Sequence, residues 1–499
     1  MLREATDDVH STPRSLPPLP VSAPPSQIRS PSVAASWFAR TPSTSVGDYL
    51  EEVGHLAGGG ADNRDAWLPI TESRDGNAYY SAFHVLSSGI GFQALMLPVA
   101  FTILGWAWGV ICLTLAFVWQ LYTLWLLVHL HESVPSIRYC RYLHLVKTIF
   151  GPKLGKCMAQ FPIMYLSAGT CTALIVVGGG SMKLFFEITC GPACVSRPLT
   201  SVEWYLVFVC LAVVLAQLPN LNSIAFVSLV GAATAVLYCT MIWVISVSKG
   251  RLPEVSYHPV RGNSDVDGML NVLNALGIIA FAFRGHNLVL EIQATMPSTL
   301  KRPSHVPMWR GVGAAYLLIA LCMYPVAIGG FWAYGNLIPS NGIVSAMRKF
   351  HSHDISRGVL GLTTLLIIVN CLSSYQIYAM PPFDNLEAAY VSVANKPCPR
   401  WLRSGFRAFF GSLTFFVAVA LPFLSELAGL LGGIALPVTL AYPCFMWILT
   451  KKPRRYGGMW CTNWFLGSLG MGLSVLLIIG GIWRIVDKGL NLRFFKAAQ

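Results

Sequence analysis

The residues best suited to chemistry stand in one short run, Arg284, Gly285, His286 and Asn287, with Glu291 just beyond. A guanidinium is a permanently charged planar fork that fits a carboxylate. Imidazole and carboxyl groups take up and release protons, an amide both donates and accepts, and glycine admits backbone shapes closed to other residues. Together they suit binding a small charged solute and moving a proton. No nucleophile with a paired base accompanies them, so no catalytic residue and no enzyme is expected. Their setting is the apolar stretch 274–297, long enough to cross a bilayer. An arginine near the membrane centre costs about 2.5–3.5 kcal/mol on insertion scales, so it must face a cavity, a counter-charge or a ligand. Unwound backbone at that depth must likewise be enclosed by protein or line a watery path.

The rest of the chain must build that enclosure. Hydrophobic residues make up 54% and charged residues 11%, with a mean hydropathy of +0.57, which excludes a soluble globule and implies a polytopic protein in a lipid bilayer. The net charge of +13 sits mainly in alternate loops, the bias of any multi-span protein, and does not point to nucleic acid. No basic start leads into a short apolar core, so no cleaved signal peptide is expected. Residues 1–76 are rich in Pro, Ser and Thr, which reads as a disordered cytosolic tail with Ser30-Pro31 and Thr41-Pro42 as phosphorylation candidates. Most of the thirteen cysteines lie in apolar runs; Cys190 and Cys194 share a polar loop and can form a disulfide, with each other or with partners, or stay free.

Counting about 20 apolar residues per crossing gives about eleven helices, at 78–104, 106–130, 158–188, 204–218, 224–247, 270–294, 311–334, 358–381, 406–423, 427–449 and 464–486. The membrane domain is thus 77–486, all-α, with a short tail at 487–499. Arg138, Arg141, Lys147, Lys301, Arg400, Arg403, Lys451 and Arg454 fall in loops on one side, which the positive-inside rule makes cytosolic with the N-terminus; the C-terminus is then extracellular. The first span carries small and polar residues, Ser87-Ser-Gly-Ile-Gly-Phe92, before Pro98, and the sixth span repeats the plan with Gly285 and Pro297. An odd offset of five spans inverts the second copy, and paired breaks in inverted halves point to a midplane substrate site. Glycines that merely let helices pack closely are the competing explanation.

Several strings resemble the plant lysine/histidine transporter-like branch of the amino acid/auxin permease family. They are Phe281-Ala-Phe-Arg-Gly-His-Asn-Leu-Val-Leu-Glu-Ile-Gln-Ala-Thr-Met-Pro-Ser298, Pro307-Met-Trp-Arg-Gly311, Ser374-Tyr-Gln-Ile-Tyr-Ala-Met-Pro381, Tyr442-Pro-Cys-Phe-Met-Trp447 and Trp460-Cys-Thr-Asn-Trp464, colinear from about Tyr79 onward. The resemblance implies a five-plus-five inverted-repeat fold of the leucine-transporter kind with broken helices one and six. It also implies symport of amino acids with protons across the plasma membrane, driven by the proton gradient without a cofactor. Three positions depart from the family pattern: Arg284 stands where a small residue is usual, Gly91-Phe-Gln93 where Gly-Ala-Gly is usual, and Asn370 where a histidine is common. These bear on which solute is carried.

Within that frame the segment Gly89, Ile90, Gly91 and Phe92 is the candidate clamp for an α-carboxylate, because a helix start leaves N–H groups unpaired, with Ser88 beside it as a further substrate-binding candidate. Carbonyls near Phe281 to Phe283 would meet the ammonium, Gly285 and Asn287 are further substrate-binding candidates, and Phe92 and Phe283 would wall the side-chain pocket or simply pack. Arg284 either favours acidic over neutral substrates, pairs with Glu291, or mimics a coupling cation. His84, His286 and Glu291 are the proton-coupling candidates. Ser373 and Ser374 offer hydroxyls to a substrate or to sodium, though a sodium site needs five or six oxygens; no other metal is expected. A sensor that signals through its tail, or a permease for another organic anion such as an auxin-like solute, is the alternative function.

Overall fold

The computed structural model describes residues 67–487, apart from residues 73, 136, 191–198, 219–223, 261, 263, 284, 300, 353 and 421–423. Arg284, Cys194 and most of both expected tails lie outside the described residues. The described chain is helical, without strands beyond one isolated bridge.

The first span is two helices. α1 (Ala78–Gly89) begins at Asn77, whose side chain accepts from the Tyr80 N–H at 3.0 Å, and stops where Ile90 turns extended. α2 (Phe92–Leu130) restarts after Gly91 and bends sharply at Gly105, φ 71°. Unbent, its 39 residues would reach about 58 Å, roughly twice the hydrocarbon core, so the bend divides it between the first and second expected spans. α3 (Tyr142–Phe150) follows the basic loop, then come α4 (Pro152–Cys190), α5 (Ser201–Leu215) and α6 (Ala225–Ser248).

The second half repeats the plan. α7 (Asp265–Ala282) is capped by Ser264 and carries Asp265 and Asp267 in its first turn, where the helix dipole favours them. It breaks at Phe283, and α8 (His286–Ala294) restarts beyond Gly285, whose φ of 128° suits only glycine. Then follow α9 (His305–Tyr334), α10 (Ile343–His351), α11 (Arg357–Ala394) and α12 (Arg400–Ala420). α13 (Leu424–Leu436) leads through a π turn at Pro437–Ala441 into α14 (Tyr442–Lys451), and α15 (Gly458–Asp487) stands outside the repeat. This is the inverted-repeat arrangement with helices one and six broken.

Among the described residues eight helices are long and apolar enough to cross a membrane, so the expected eleven are not confirmed as a count. The difference is small and has physical causes: α2 is one helix across its bend, α5 has only 15 residues, and α12 carries Arg400, Arg403 and Arg407. Apolar side chains such as Leu115, Phe161, Phe226, Leu321, Phe409 and Ile479 face outward, as a hydrocarbon solvent requires. α11 packs against α4 and α6, α1 against α9, and α7 against α13. A Cβ on Gly277 would strike the Gly429 carbonyl, and one on Gly432 the Gly277 carbonyl, so glycine sets the close approach of α7 and α13.

One sequence expectation changes and one open alternative is decided. The tail does not run to residue 76: Leu68, Ile70 and Thr71 are buried, Ile70 lies against Cys140 and Ala294, and the Gly76 N–H donates to the Thr295 carbonyl at 2.9 Å. Four residues, Trp67-Leu-Pro-Ile70, are enough to dock yet too few to register in tail composition. Cys190, at the end of α4, is disulfide-bonded rather than free.

Candidate substrate site

The two breaks come together. The Phe92 and Phe281 rings lie 5.6 Å apart, and a Cβ on Gly285 would stand 3.7 Å from Ser88 Oγ. Breaking a helix in a water-poor interior leaves carbonyls that must find donors. At the first break the protein supplies all of them for five successive residues. Ser374 Oγ donates to the Ser87 carbonyl at 2.7 Å and Tyr378 OH to Ser88 at 2.9 Å. Gln93 Nε2 donates to Gly89 at 2.6 Å, Asn370 Nδ2 to Ile90 at 3.4 Å, and Tyr238 OH to Gly91 at 3.0 Å. Asn370, Ser374 and Tyr378 recur every four residues, which places them on one face of α11. Gly231 of α6 has no room for a Cβ beside Ser373 and Ser87, so glycine there lets α6 close on the same junction.

At the second break two side-chain donors meet described carbonyls. Tyr316 OH reaches the Phe283 carbonyl at 3.3 Å, and Gln120 Nε2 reaches Ala280 at 2.8 Å. His286 Nε2 sits 2.9 Å from the Gln120 carbonyl and 3.0 Å from Thr123 Oγ1, and Asn287 Nδ2 points to Ser167 Oγ at 3.5 Å. Neither α2 at Phe92 nor α8 at His286 has a side-chain cap, so two helix starts converge on one buried region. The amide oxygens of Gln93, Asn287 and Asn370 are buried and lack a hydrogen-bond partner. The region therefore combines helix starts that favour an anion with acceptors that favour a cation.

Other expected residues fall as follows. Ser88 Oγ turns back to its own Val85 carbonyl at 3.1 Å. Ser373 Oγ donates to Val227 at 2.8 Å and lies 3.1 Å from Ser87 Oγ, so the hydroxyls considered for sodium are engaged with protein oxygens. Phe92 pairs with Phe281, while Phe283 meets Phe117 edge-on at 5.2 Å. His84 is fully buried with Nδ1 2.8 Å from Ser228 Oγ and Nε2 unpartnered. Glu291 lies in α8 toward the basic loops, where one oxygen accepts the Tyr142 N–H at 3.2 Å and the other has no partner. The tyrosines 238, 316 and 378 and Gln120 escape sequence reading because each alone looks like an ordinary span residue. The four-residue spacing of Asn370, Ser374 and Tyr378 was the available signal.

The two ends of the site differ. At the basic end Arg141 clasps Asp384 through Nε at 2.5 Å and Nη2 at 3.2 Å, and its Nη2 also reaches Thr71 at 3.3 Å. Arg403 pairs with Glu387 at 3.0 Å. Arg138 Nη2 donates to Met296 at 2.9 Å while its Nε lies 3.2 Å from Glu132. Burial would raise the Glu132 carboxyl, but hydrogen bonds involving His131, Ser298 and Ser304 outweigh it and bring it down to about 2. At the other end a cavity of about 250 Å³ opens between α4, α5 and α10.

Comparison with known proteins agrees with this geometry. Residues 74–486 match the family described as transmembrane amino acid transporter protein. Lysine histidine transporter-like 8 of Arabidopsis thaliana is 63% identical over 90% of this chain and 86% of its own length. Lysine histidine transporter-like 7 of Arabidopsis thaliana is 46% identical over 88% of this chain and 91% of its own. Among solved structures, a Na+-coupled sialic acid symporter superposes with a TM-score of 0.51 at 11% identity, covering 88% of this chain and 97% of its own, a likeness of fold alone. Mhp1, a nucleobase-cation-symport-1 family transporter, gives a TM-score of 0.51 at 12% identity over 87% and 97%. With the family match spanning most of the chain and two broken helices meeting at its centre, this protein is a multi-pass membrane protein belonging to the transmembrane amino acid transporter family, a transporter and not an enzyme.

Proposed function

We propose that this chain imports amino acids together with protons across the plasma membrane, by alternating access around the two breaks, with its N-terminus cytosolic and its C-terminus outside. The observation that carries the reading is the pairing at the centre of two uncapped helix starts with unpartnered amide oxygens of Gln93, Asn287 and Asn370. An α-carboxylate answers the first and an α-ammonium the second. On the sequence, Arg284 next to Phe283 favours substrates with a second carboxylate over neutral ones.

For the proton, Glu291 is the carrier in this reading. It has one oxygen without a partner, it is buried, and it takes the N–H of Tyr142, next in the chain to the Arg141 that clasps Asp384. Its protonation is thereby linked to the latch at the basic end. The membrane potential adds about 2.3 kcal/mol per charge per 100 mV to inward movement.

The test is current in voltage-clamped oocytes expressing the full chain, with glutamate, neutral and basic amino acids in sodium-free medium. Inward current that grows on acidifying the bath, and is lost in Glu291→Gln with amino acid binding retained, is expected. Amino acid uptake indifferent to pH removes the proton from the reading. In Arg284→Ala, equal losses of acidic and neutral uptake remove the selectivity role.

A further inference from the structure

Four exposed cations stand together where α14 ends and α15 begins: Lys451, Lys452, Arg454 and Arg455. Other arginines of the basic end are engaged in holding the fold, Arg141 with Asp384, Arg403 with Glu387 and Arg138 with Glu132. Here no such partner stands by. No Asp or Glu occurs between Glu426 and Asp487, and among the described residues none of the four charges has a carboxylate partner. The turn that carries them is tight: Lys452 caps α14 in the left-handed region at φ 44°, and Tyr456 follows at φ 63°. Such backbone is unfavourable at residues other than glycine, and it holds four like charges that repel one another. A bound polyanion relieves that repulsion.

Aromatic rings fix the depth of the cluster. Trp447 of α14 lies 5.3 Å from Trp125 of α2, with the Lys451 ammonium 6.0 Å from the Trp447 ring centroid. His129, one turn further along α2, lies 4.5 Å from Trp125 and 5.0 Å from His305 of α9. Beyond the turn, Tyr456, Trp460 and Trp464 form a second row with successive rings 5.3 Å and 5.9 Å apart. Trp and Tyr settle at the level of lipid headgroups, so the cations between these two rows lie among the phosphates.

We propose that the turn between α14 and α15 is a binding site for a phosphoinositide, a lipid whose headgroup carries several phosphates, in the leaflet at the basic end. Basic clusters directly after a span attract such lipids. The guanidinium forks of Arg454 and Arg455 take phosphate through paired N–H donors, while Lys451 and Lys452 act as point charges. A serine lipid brings one net negative charge and leaves most of the cluster unanswered, whereas one inositol ring with several phosphates answers it in a single molecule. The acyl chains lie along the outward apolar faces of the two helices, where Leu449, Phe465 and Leu469 are exposed. A free inositol phosphate gains nothing from that surface. The site stands whichever solute crosses at the centre.

Fluorescence polarisation of a dye-labelled phosphatidylinositol bisphosphate, added to the purified full chain in detergent, tests this. The wild type is compared with a variant carrying Lys451→Gln, Lys452→Gln, Arg454→Gln and Arg455→Gln. A control carries Lys153→Gln, Lys156→Gln, Lys396→Gln and Arg400→Gln, which removes four other exposed cations of the basic end. Saturable binding by the wild type is expected, with affinity weaker by about tenfold or more in the first variant and nearly unchanged in the control. On the wild type alone, unlabelled short-chain phosphoinositide should displace the probe far better than short-chain phosphatidylserine or free inositol trisphosphate, a comparison that depends on no variant folding. Absence of saturable binding by the wild type, equal weakening in the two variants, or equal displacement by phosphatidylserine overturns the site. Equal displacement by inositol trisphosphate overturns the lipid as its occupant.

Discussion

The first break hands its five carbonyls, Ser87 to Gly91, to three donors on α11, one on α6 and one on α2. At the second break, among the described residues, Gln120 of α2 donates to Ala280 and Tyr316 of α9 to Phe283. The helices that hold one break are thus largely different from those that hold the other. If α6 and α11 move relative to α2 and α9, the hydrogen bonds of the first break must be exchanged, while those of the second can travel with it. A buried carbonyl deprived of its donor costs about 1–3 kcal/mol, so such a movement must re-satisfy the first-break carbonyls.

The sharpest way to break this comparison is to remove donors from one break at a time. Ser374→Ala with Tyr378→Phe orphans two carbonyls, a loss of about 2–6 kcal/mol, and is expected to abolish amino acid uptake in cells. Tyr316→Phe loses one long contact and is expected to reduce uptake only a few-fold. Similar losses in the two would erase the distinction. Glycine substitution comes next. Gly285→Ala forces a side chain into φ 128°, at about 1–3 kcal/mol, whereas Gly91 has a negative φ of −156°. Uptake should fall about tenfold or more in the first and distinctly less in Gly91→Ala.

A smaller effect is expected at Glu132, which ties the stretch after the second break to the start of α9 through Ser304 at 2.8 Å. Its carboxyl ionises at about 2 in the folded protein against an ordinary 4.5. Its contribution is therefore complete above the ordinary value and fades as pH falls toward the lowered one. The wild type's melting temperature should drop more than that of Glu132→Gln between about pH 5 and about pH 3; parallel curves would remove Glu132 from the account. The least effect is expected from sodium. Since the first-break carbonyls and both Ser373 and Ser374 are engaged with protein donors and acceptors, replacing sodium by choline should leave uptake unchanged, and a marked loss would show that a cation displaces these bonds.

The sequence by itself determined that the chain is a membrane protein with two interrupted spans. Apolar length, the Gly- and Pro-marked breaks and the asymmetry of Lys and Arg are local or additive properties, which survive without knowledge of neighbours. What fills each hydrogen bond was decided only by tertiary structure. Tyr238 and Tyr378 lie 147 and 290 residues from the carbonyls they meet, and nothing in a single span distinguishes a donor to a distant carbonyl from a packing residue. The same holds for the latch of Arg141 on Asp384, 243 residues apart, and for the docking of Ile70 and Gly76 at the end of α8. Composition sets which backbone must be enclosed, but satisfaction of buried polar groups depends on which helices the fold brings within about 3 Å of one another.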